Sequence, residues 1–411
     1  MTRMSRRDLL LRSAALGCSA AASPLVTPVA FAALPTDNRL VVIILRGAMD
    51  GLDLVQPYGD PGLQAARPDF AIGPGAGAHD LDGFFALHER LGDLLPLWQA
   101  GELGFAHAVS TPYRDARSHF DGQDLLEAGT GAGTAGGTHP DGWLNRLVQT
   151  IPGARRDMAL AVGQQEALIL RGAAPAVAWS PATRLALSPA TADLLGMVYH
   201  DDPLFTAAYE DAAFYSALLH GEFAAADMEG EDAAQMMAEG MAMAGRSAGP
   251  DALAAFAAER LREDARIATF SIGGWDTHRA QANVIGRALR ALTTAILTLR
   301  DGLGPDWSRT TVLAMTEFGR TVHQNGSGGT DHGTGSALIM AGGALRGGRV
   351  LGDWPGLSAG ALYEGRDLMP TRDVRAYAAW AMRGLFGTER AVLERLVFPG
   401  LDLDADPGLL R

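Results

Sequence analysis

The sequence predicts an α/β domain whose mostly parallel sheet is covered by helices on both faces. Short runs of consecutive apolar residues recur along the chain, the pattern of strands buried on both sides. Segments of helical periodicity lie between or after them, and such alternation signals parallel strands joined by crossovers. Acids and histidines come directly after several of these runs, where an open parallel sheet places its ligands.

Taken in order, the first segment stands apart from that fold. Met4-Ser5-Arg6-Arg7-Asp8-Leu9-Leu10 precedes a short apolar stretch, Ala14 to Ala22, and the small-residue pattern Ala30-Phe31-Ala32. Basic, apolar and small-residue segments in that order describe a twin-arginine (Tat) export signal over 1–32, with the Tat translocase as its partner during export. The apolar stretch is too short to span a bilayer. Cleavage after Ala32 leaves 33–411 as one large domain, expected in the periplasm or secreted, with no integral membrane segment. Ala15-Leu16-Gly17-Cys18 is a poorer match to a lipoprotein box, so lipid anchoring at Cys18 is the less favoured alternative. Cys18 is the single cysteine, so the mature chain would carry neither disulfide nor thiol chemistry.

Leu40 to Leu45 reads as the first buried strand, ending at Arg46-Gly47. Leu103 to Val109, Met158 to Val162, Ile267 to Ile272, Thr311 to Thr316 and Ala337 to Ala341 repeat its pattern. Helical spacing marks Ala280 to Leu303 and Arg375 to Phe386, and a shorter helix from about His119 to Glu127. Gly129 to Gly137 is a glycine-threonine-alanine linker. The stretch from about 203 to 264 is alanine-rich and acidic and carries Met236, Met237, Met241 and Met243. It reads as a helical insertion whose methionines pack on the main body.

The formal net charge is −13, and every one of the 34 basic side chains is arginine. Such a surface repels nucleic acid and anionic lipid, so neither is expected as a partner. An anionic substrate would need a local focus of arginine or metal.

The segments just beyond the strands supply candidates. After the first come Arg46-Gly47-Ala48-Met49-Asp50, after Ile272 comes Gly273-Gly274-Trp275-Asp276-Thr277-His278, and after Thr316 comes Glu317-Phe318-Gly319-Arg320. The glycine-rich loop Asn325 to Gly329 leads into Thr330-Asp331-His332. Carboxylates favour Mg, Ca or Mn, and added imidazoles shift the preference toward Zn. Asp50, Asp276, His278, Glu317, Asp331 and His332 are therefore candidate metal ligands. Each has a structural alternative: Asp276 or Thr277 as a helix cap, Asp50 as a turn brace, Glu317 as the ion-pair partner of Arg320 or Arg46. Ser118 precedes the helix beginning near His119, where free amides favour an anion. It is a candidate nucleophile or simply an N-cap, and His119 is the competing reactive or ligand residue. Arg46, Arg114, Arg117 and Arg320 are candidates for holding nonbridging oxygens.

Several of these motifs recur in fixed order. Leu45-Arg46-Gly47-Ala48-Met49-Asp50-Gly51-Leu52, Arg117-Ser118-His119-Phe120-Asp121, Gly142-Trp143-Leu144, Gly274-Trp275-Asp276-Thr277-His278, Thr316-Glu317-Phe318-Gly319-Arg320 and Asp331-His332-Gly333 resemble the bacterial, Tat-exported "domain of unknown function 1501" family over nearly the whole mature chain. That family is grouped with the alkaline-phosphatase-like superfamily of phosphatases, sulfatases and cofactor-independent phosphoglycerate mutases. The resemblance implies a three-layer α/β/α sandwich with metal ligands at the carboxyl edge of the sheet. It also implies a nucleophile at a helix start, here Ser118, with Asp50, Asp276, His278, Glu317 and His332 about the metal. The spacing departs from the phosphatase pattern. Asp276-Thr277-His278 replaces Asp-x-x-x-His, Glu317-Phe318 replaces Asp-His, and no Cys-x-Pro-x-Arg motif is present. One hard cation, or an incomplete site, fits these residues as well as two zinc ions.

The expected function is a periplasmic, metal-dependent hydrolase or transferase acting on phosphate or sulfate esters, small or polymeric, with a divalent Zn, Mg, Ca or Mn. Ser118, His119, Arg46, Arg117 and Arg320 would carry the catalysis. The alternative is an exported binding or assembly protein with a vestigial site on the same fold. An oxidoreductase ranks last, because no dinucleotide-binding glycine motif and no haem or iron–sulfur cysteines occur.

Overall fold

The structure, a computed structural model, describes residues 37–114, 117–131, 141–163, 167–179 and 249–411. The proposed export signal, most of the predicted linker and residues 203–248 of the predicted insertion lie outside the described residues.

The main sheet uses every predicted run. Its strands are β1 (Arg39–Leu45), β2 (Leu103–Ser110), β3 (Ala159–Val162), β4 (Val177–Trp179), β5 (Ile267–Ile272), β6 (Thr310–Met315), β7 (Ser336–Ala341), β8 (Val350–Leu351) and β9 (Arg372–Asp373). They lie side by side in the order β4-β3-β5-β1-β6-β7-β2-β8, and β9 pairs with the end of β2. Central β1 is parallel to both neighbours, with Leu40 opposite Ile267 on one side and Thr311 on the other. Among the described strands of this sheet, only β7 runs antiparallel to its partners, β2 and β6.

Each residue of β1 is buried, and alternate side chains enter different layers, as the strand pleat requires. Val41, Ile43 and Leu45 pack in one apolar cluster, whereas Leu40, Val42 and Ile44 pack in the other. The first layer is built by helix α3 (Pro250–Arg262) and helix α4 (Gln281–Leu303), numbered after α1 (His119–Ala128) and α2 (Trp143–Thr150). Leu289, Leu292, Ile296, Leu299 and Leu303 form the buried stripe of α4, at the spacing of one helical face. The second layer is built by α2 and by α5 (Val374–Phe386), through Trp143, Leu144, Leu147, Tyr377, Met382 and Leu385. The arrangement is a mixed α/β fold with a mostly parallel sheet between helical layers. The C-terminal part of the predicted insertion belongs to that body: Leu253, Ala254, Phe256, Ala257 and Leu261 of α3 all enter the core.

A second, three-stranded sheet (Val55–Gln56, His79–Asp80, Ala86–Leu87) covers part of β2. Beneath it His107 is buried between the rings of Phe85 and Trp354, with centroids 5.4 and 5.1 Å away. Its Nε2 donates to the Val55 carbonyl and its Nδ1 accepts the Ala108 amide, both at 2.9 Å. A second ring proton would oppose that amide. Burial pushes the His107 pKa down to about 4 from 6.5.

Between those two values the unfolded chain binds a proton that the folded chain refuses, so stability rises with pH across the window. The contribution is complete above pH 6.5 and is lost as pH falls toward about 4. Its size is on the order of 3 kcal/mol. Urea unfolding at about pH 7 and about pH 4.5 should show a drop that is smaller by this amount in His107→Gln. Equal drops in the two proteins would assign the acid limb to other groups.

Candidate metal centre

The exits of β1, β5 and β6 lie at one edge of the sheet, and the loop entering β7 returns to the same edge because β7 is reversed. The exits are packed tightly. Gly47 has φ +120°, and a Cβ there would stand 2.7 Å from the Asp276 amide nitrogen, so only glycine lets the two loops touch. Fully buried Arg320 then ties three segments together. Its guanidinium donates to the carbonyls of Gly47 (3.0 Å), Ala48 (2.8 Å), Trp275 (3.0 Å) and Thr330 (3.1 Å), and to Asp276 Oδ1 (2.6 Å).

Glu317 is equally enclosed. Its Oε1 accepts the amides of Gly47 and Ala48 (2.9 and 3.1 Å), Gln123 Nε2 (3.0 Å) and His119 Nδ1 (2.8 Å), and its Oε2 lies 2.9 Å from Thr316 Oγ1. Burial alone would raise the Glu317 pKa, but the hydrogen bonds from His119, Gln123 and nearby amides outweigh it and hold the carboxyl below its ordinary range. An ionised Glu317 makes His119 Nδ1 a donor.

Three imidazoles share this logic. His278 Nδ1 lies 3.2 Å from Asp331 Oδ1, which also accepts Asn325 Nδ2 at 3.0 Å. The Asn325 hydrogen bond, added to that of His278, lowers the Asp331 pKa despite some desolvation. His332 Nδ1 donates to the Arg117 carbonyl at 2.9 Å, and Arg117 has φ +50°, the left-handed turn that aims this carbonyl inward. With every Nδ1 proton engaged, each neutral ring presents an Nε2 lone pair.

The three lone pairs converge on one oxygen. Asp276 Oδ1 lies 3.1 Å from His278 Nε2, 3.4 Å from His332 Nε2 and 3.6 Å from His119 Nε2. His278 Nε2 and His332 Nε2 are 3.0 Å apart. His119 Nε2 is shut off from solvent and has no hydrogen-bond partner. His119, Asp276 and His332 form a group whose spacing can hold a metal ion. Ligand atoms about 2.0–2.1 Å from a tetrahedral ion stand about 3.3 Å from one another, the spacing seen around Asp276. Chiefly the hydrogen bond to Glu317 raises the His119 pKa, so its Nε2 attracts a positive charge. Burial lowers that of His332. Desolvation of Asp276 is outweighed by the Arg320 hydrogen bond and charge, which keep it below the usual carboxylate range.

Of the predicted ligands, the structure gathers Asp276, His278 and His332, with Asp331 directly behind His278. Glu317 stands behind His119 rather than beside it as a fellow ligand, and His119 takes the inward place. Asp50 is elsewhere: it caps Gly51–Leu54 and is saturated by Arg67 (2.8 and 3.1 Å) and Gln281 Nε2 (2.7 Å). Ser118 caps α1, its Oγ 3.4 Å from the Asp121 amide. Arg46 is committed to Gln123 and Glu127 at 2.7 and 2.6 Å, and Arg114 to the carbonyls of Thr111 and Tyr113. Arg117 Nη2 is held loosely, 3.9 Å from Glu364 and from Asp367. Gln123, Asn325, Gln281 and Arg67 are not among the residues that the sequence singles out. Gln123 alone has a visible signal, since it lies four residues after His119 on the same face of α1.

A family profile described as protein of unknown function, DUF1501, matches residues 98–377. That is more than half of the chain, and the chain belongs to this family. A search among curated proteins gives no match.

Removing the Arg320 guanidinium would strip the donor from four carbonyls in a closed space. Arg320→Ala should cost at least about 3 kcal/mol in urea unfolding, well beyond a surface arginine. A loss below about 1 kcal/mol would show that the loops hold their places without it.

Proposed function

We propose that this member of a family without an assigned activity is an exported, metal-dependent hydrolase or transferase of phosphate or sulfate esters. We further propose that it has an alkaline-phosphatase-like fold and reaches the periplasm through the Tat route. The observation that carries the reading is the convergence of three outward-braced imidazoles on one oxygen of Asp276. Three nitrogens and one carboxylate favour zinc or another transition metal over magnesium or calcium. When bound, such an ion polarises an ester oxygen and stabilises charge developing during displacement.

The protein's own groups divide the remaining tasks. Glu317, Asp331 and the Arg117 carbonyl fix the imidazole orientations, a role that commonly governs metal affinity. Ser118, next to His119 at the start of α1, attacks phosphorus or sulfur through its Oγ as the ester P–O or S–O bond breaks. The hydroxyl proton ends on the departing alcohol, and water or an acceptor alcohol then takes the group from the serine. The free amides and dipole of that helix favour the negative charge gathering there. Arg117, the loosely held arginine beside the cluster, binds nonbridging oxygens. Arg320 and Arg46 act as braces, since their guanidinium groups already have short partners.

A second reading, a binding protein with a vestigial centre, draws on two observations. The Ser118 hydroxyl serves as a helix cap, and Arg320 lies 2.6 Å from the oxygen on which the imidazoles converge. Such a protein would hold metal without turnover.

Zinc and manganese titrations followed by calorimetry should give about one ion per chain, with affinity reduced at least about tenfold in His332→Ala and in Asp276→Asn. Glu317→Gln should weaken binding by about tenfold through its effect on His119. A chain that stays metal-free under saturating supply would end the proposal. With metal bound, a panel of phosphate and sulfate esters decides between the readings. Ser118→Ala should keep its metal and lose turnover, and full activity in that variant would remove Ser118 from the reaction.

A further inference from the structure

Beside the imidazole cluster opens a cleft of about 1210 Å³, with Asp276 and His278 in its lining. That volume exceeds the range usual for small-ligand pockets, about 300–1,000 Å³. A lone phosphate or sulfate monoester would leave most of it unused. Its walls differ in chemistry. Val162, Ile169 and Leu253, all buried, stand behind one side of it. The other is lined by Arg279, Arg287 and Arg290, all exposed. None of these three has an ion-pair partner among the described residues. Arg287 and Arg290 stand three residues apart on α4, four and seven residues beyond Asn283, which also lines the cleft. They therefore share one helical face, spanning about 10 Å from Asn283 to Arg290.

Three arginines on one wall, without ion-pair partners among the described residues, contrast with the rest of an acidic chain of net charge −13. Arg287 and Arg290 are one turn apart, about 4.5 Å of helix rise, and Arg279 stands just before the helix, so the cleft offers separate cations to negative groups repeated along one molecule. We propose that the cleft binds the body of the substrate as an extended polyanion, an oligomer bearing several sulfate or phosphate groups. Arg279, Arg287 and Arg290 take the groups beyond the ester held at the imidazole cluster. This inference rests on the ester reading above for the end of the molecule at the metal, but the arginine row is tested separately.

The test measures binding of a fluorescent sulfated hexasaccharide by anisotropy, with a short linear polyphosphate and the unsulfated hexasaccharide as competitors. Arg287→Ala/Arg290→Ala should weaken binding at least about tenfold, and Arg287→Lys/Arg290→Lys should recover most of it. Arg262→Ala, an exposed arginine outside the cleft, should leave binding unchanged. Competition by polyphosphate would support recognition of repeated anionic groups, and competition by the unsulfated sugar would overturn the proposal. So would an equal loss in the Arg262 variant, or absence of binding by the parent chain. His332→Ala should bind metal at least about tenfold more weakly yet keep the polyanion. Polyanion binding without metal binding therefore defeats only the metalloenzyme reading, and metal binding without polyanion binding defeats only this inference.

Discussion

The arrangement at the sheet edge depends on a carboxylate that has no access to water. Glu317 must remain ionised to draw the Gly47 and Ala48 amides, Gln123 and His119 onto one oxygen. Desolvating a carboxylate costs several kcal/mol unless its lone pairs are filled. Here the donors come from the β1 exit, from α1 and from the neighbouring Thr316, so the same bonds that stabilise the charge join separate segments. The His119 ring is consequently fixed by the core of the fold rather than by its own helix alone.

The other two imidazoles are held by different acceptors, a half-exposed carboxylate for His278 and a main-chain carbonyl for His332. The three braces grade from buried to exposed across the cluster. Arg320 works against this convergence as well as for it. It fixes the backbone of the β1 exit, the β5 exit and the loop before β7, yet its charge sits on the oxygen where the rings meet. With three imidazoles and an arginine facing one carboxylate, positive and neutral groups outnumber the negative one. A bound cation therefore relies on lone pairs more than on net charge, and this favours metals that bind nitrogen well.

Most of the sheet was legible because strands buried on both faces leave continuous apolar runs, and all six such runs are strands of the main sheet. The short strands Val177–Trp179, Val350–Leu351 and Arg372–Asp373 left no such signal, since two or three residues at a sheet edge need no apolar pattern. At the site, the loops were legible but the direction of each side chain was not. Asp50 and Asp276 both come after strands and look alike in sequence. What separates them is Arg67, which reaches Asp50 from a turn no local pattern connects to it. Glu317 was expected as a metal ligand, with pairing to Arg46 or Arg320 as its structural alternative. Arg46 instead meets Glu127 and Arg320 meets Asp276, because each guanidinium lies nearer to those acids once the loops are packed.

The reversed strand explains how a ligand from so late in the chain reaches the cluster. A parallel successor to β6 would require the chain to cross the sheet and enter from the opposite edge. Because β7 is antiparallel to β6, the connection from Thr316 to Gly335 leaves and re-enters at the same edge. It can therefore carry Glu317, Arg320, Asn325, Asp331 and His332 without leaving the site. Its glycines let it fold back closely: a Cβ on Gly329 would meet the His278 backbone at 2.4 Å. The loop also supplies the carbonyls of Ser327 and Gly328 that receive the amides of Ala280 and Gln281 at the start of α4. α4 thus begins on this loop, where no side chain caps it. One strand reversal consequently places the imidazole cluster and the foot of the arginine-bearing helix on a common support.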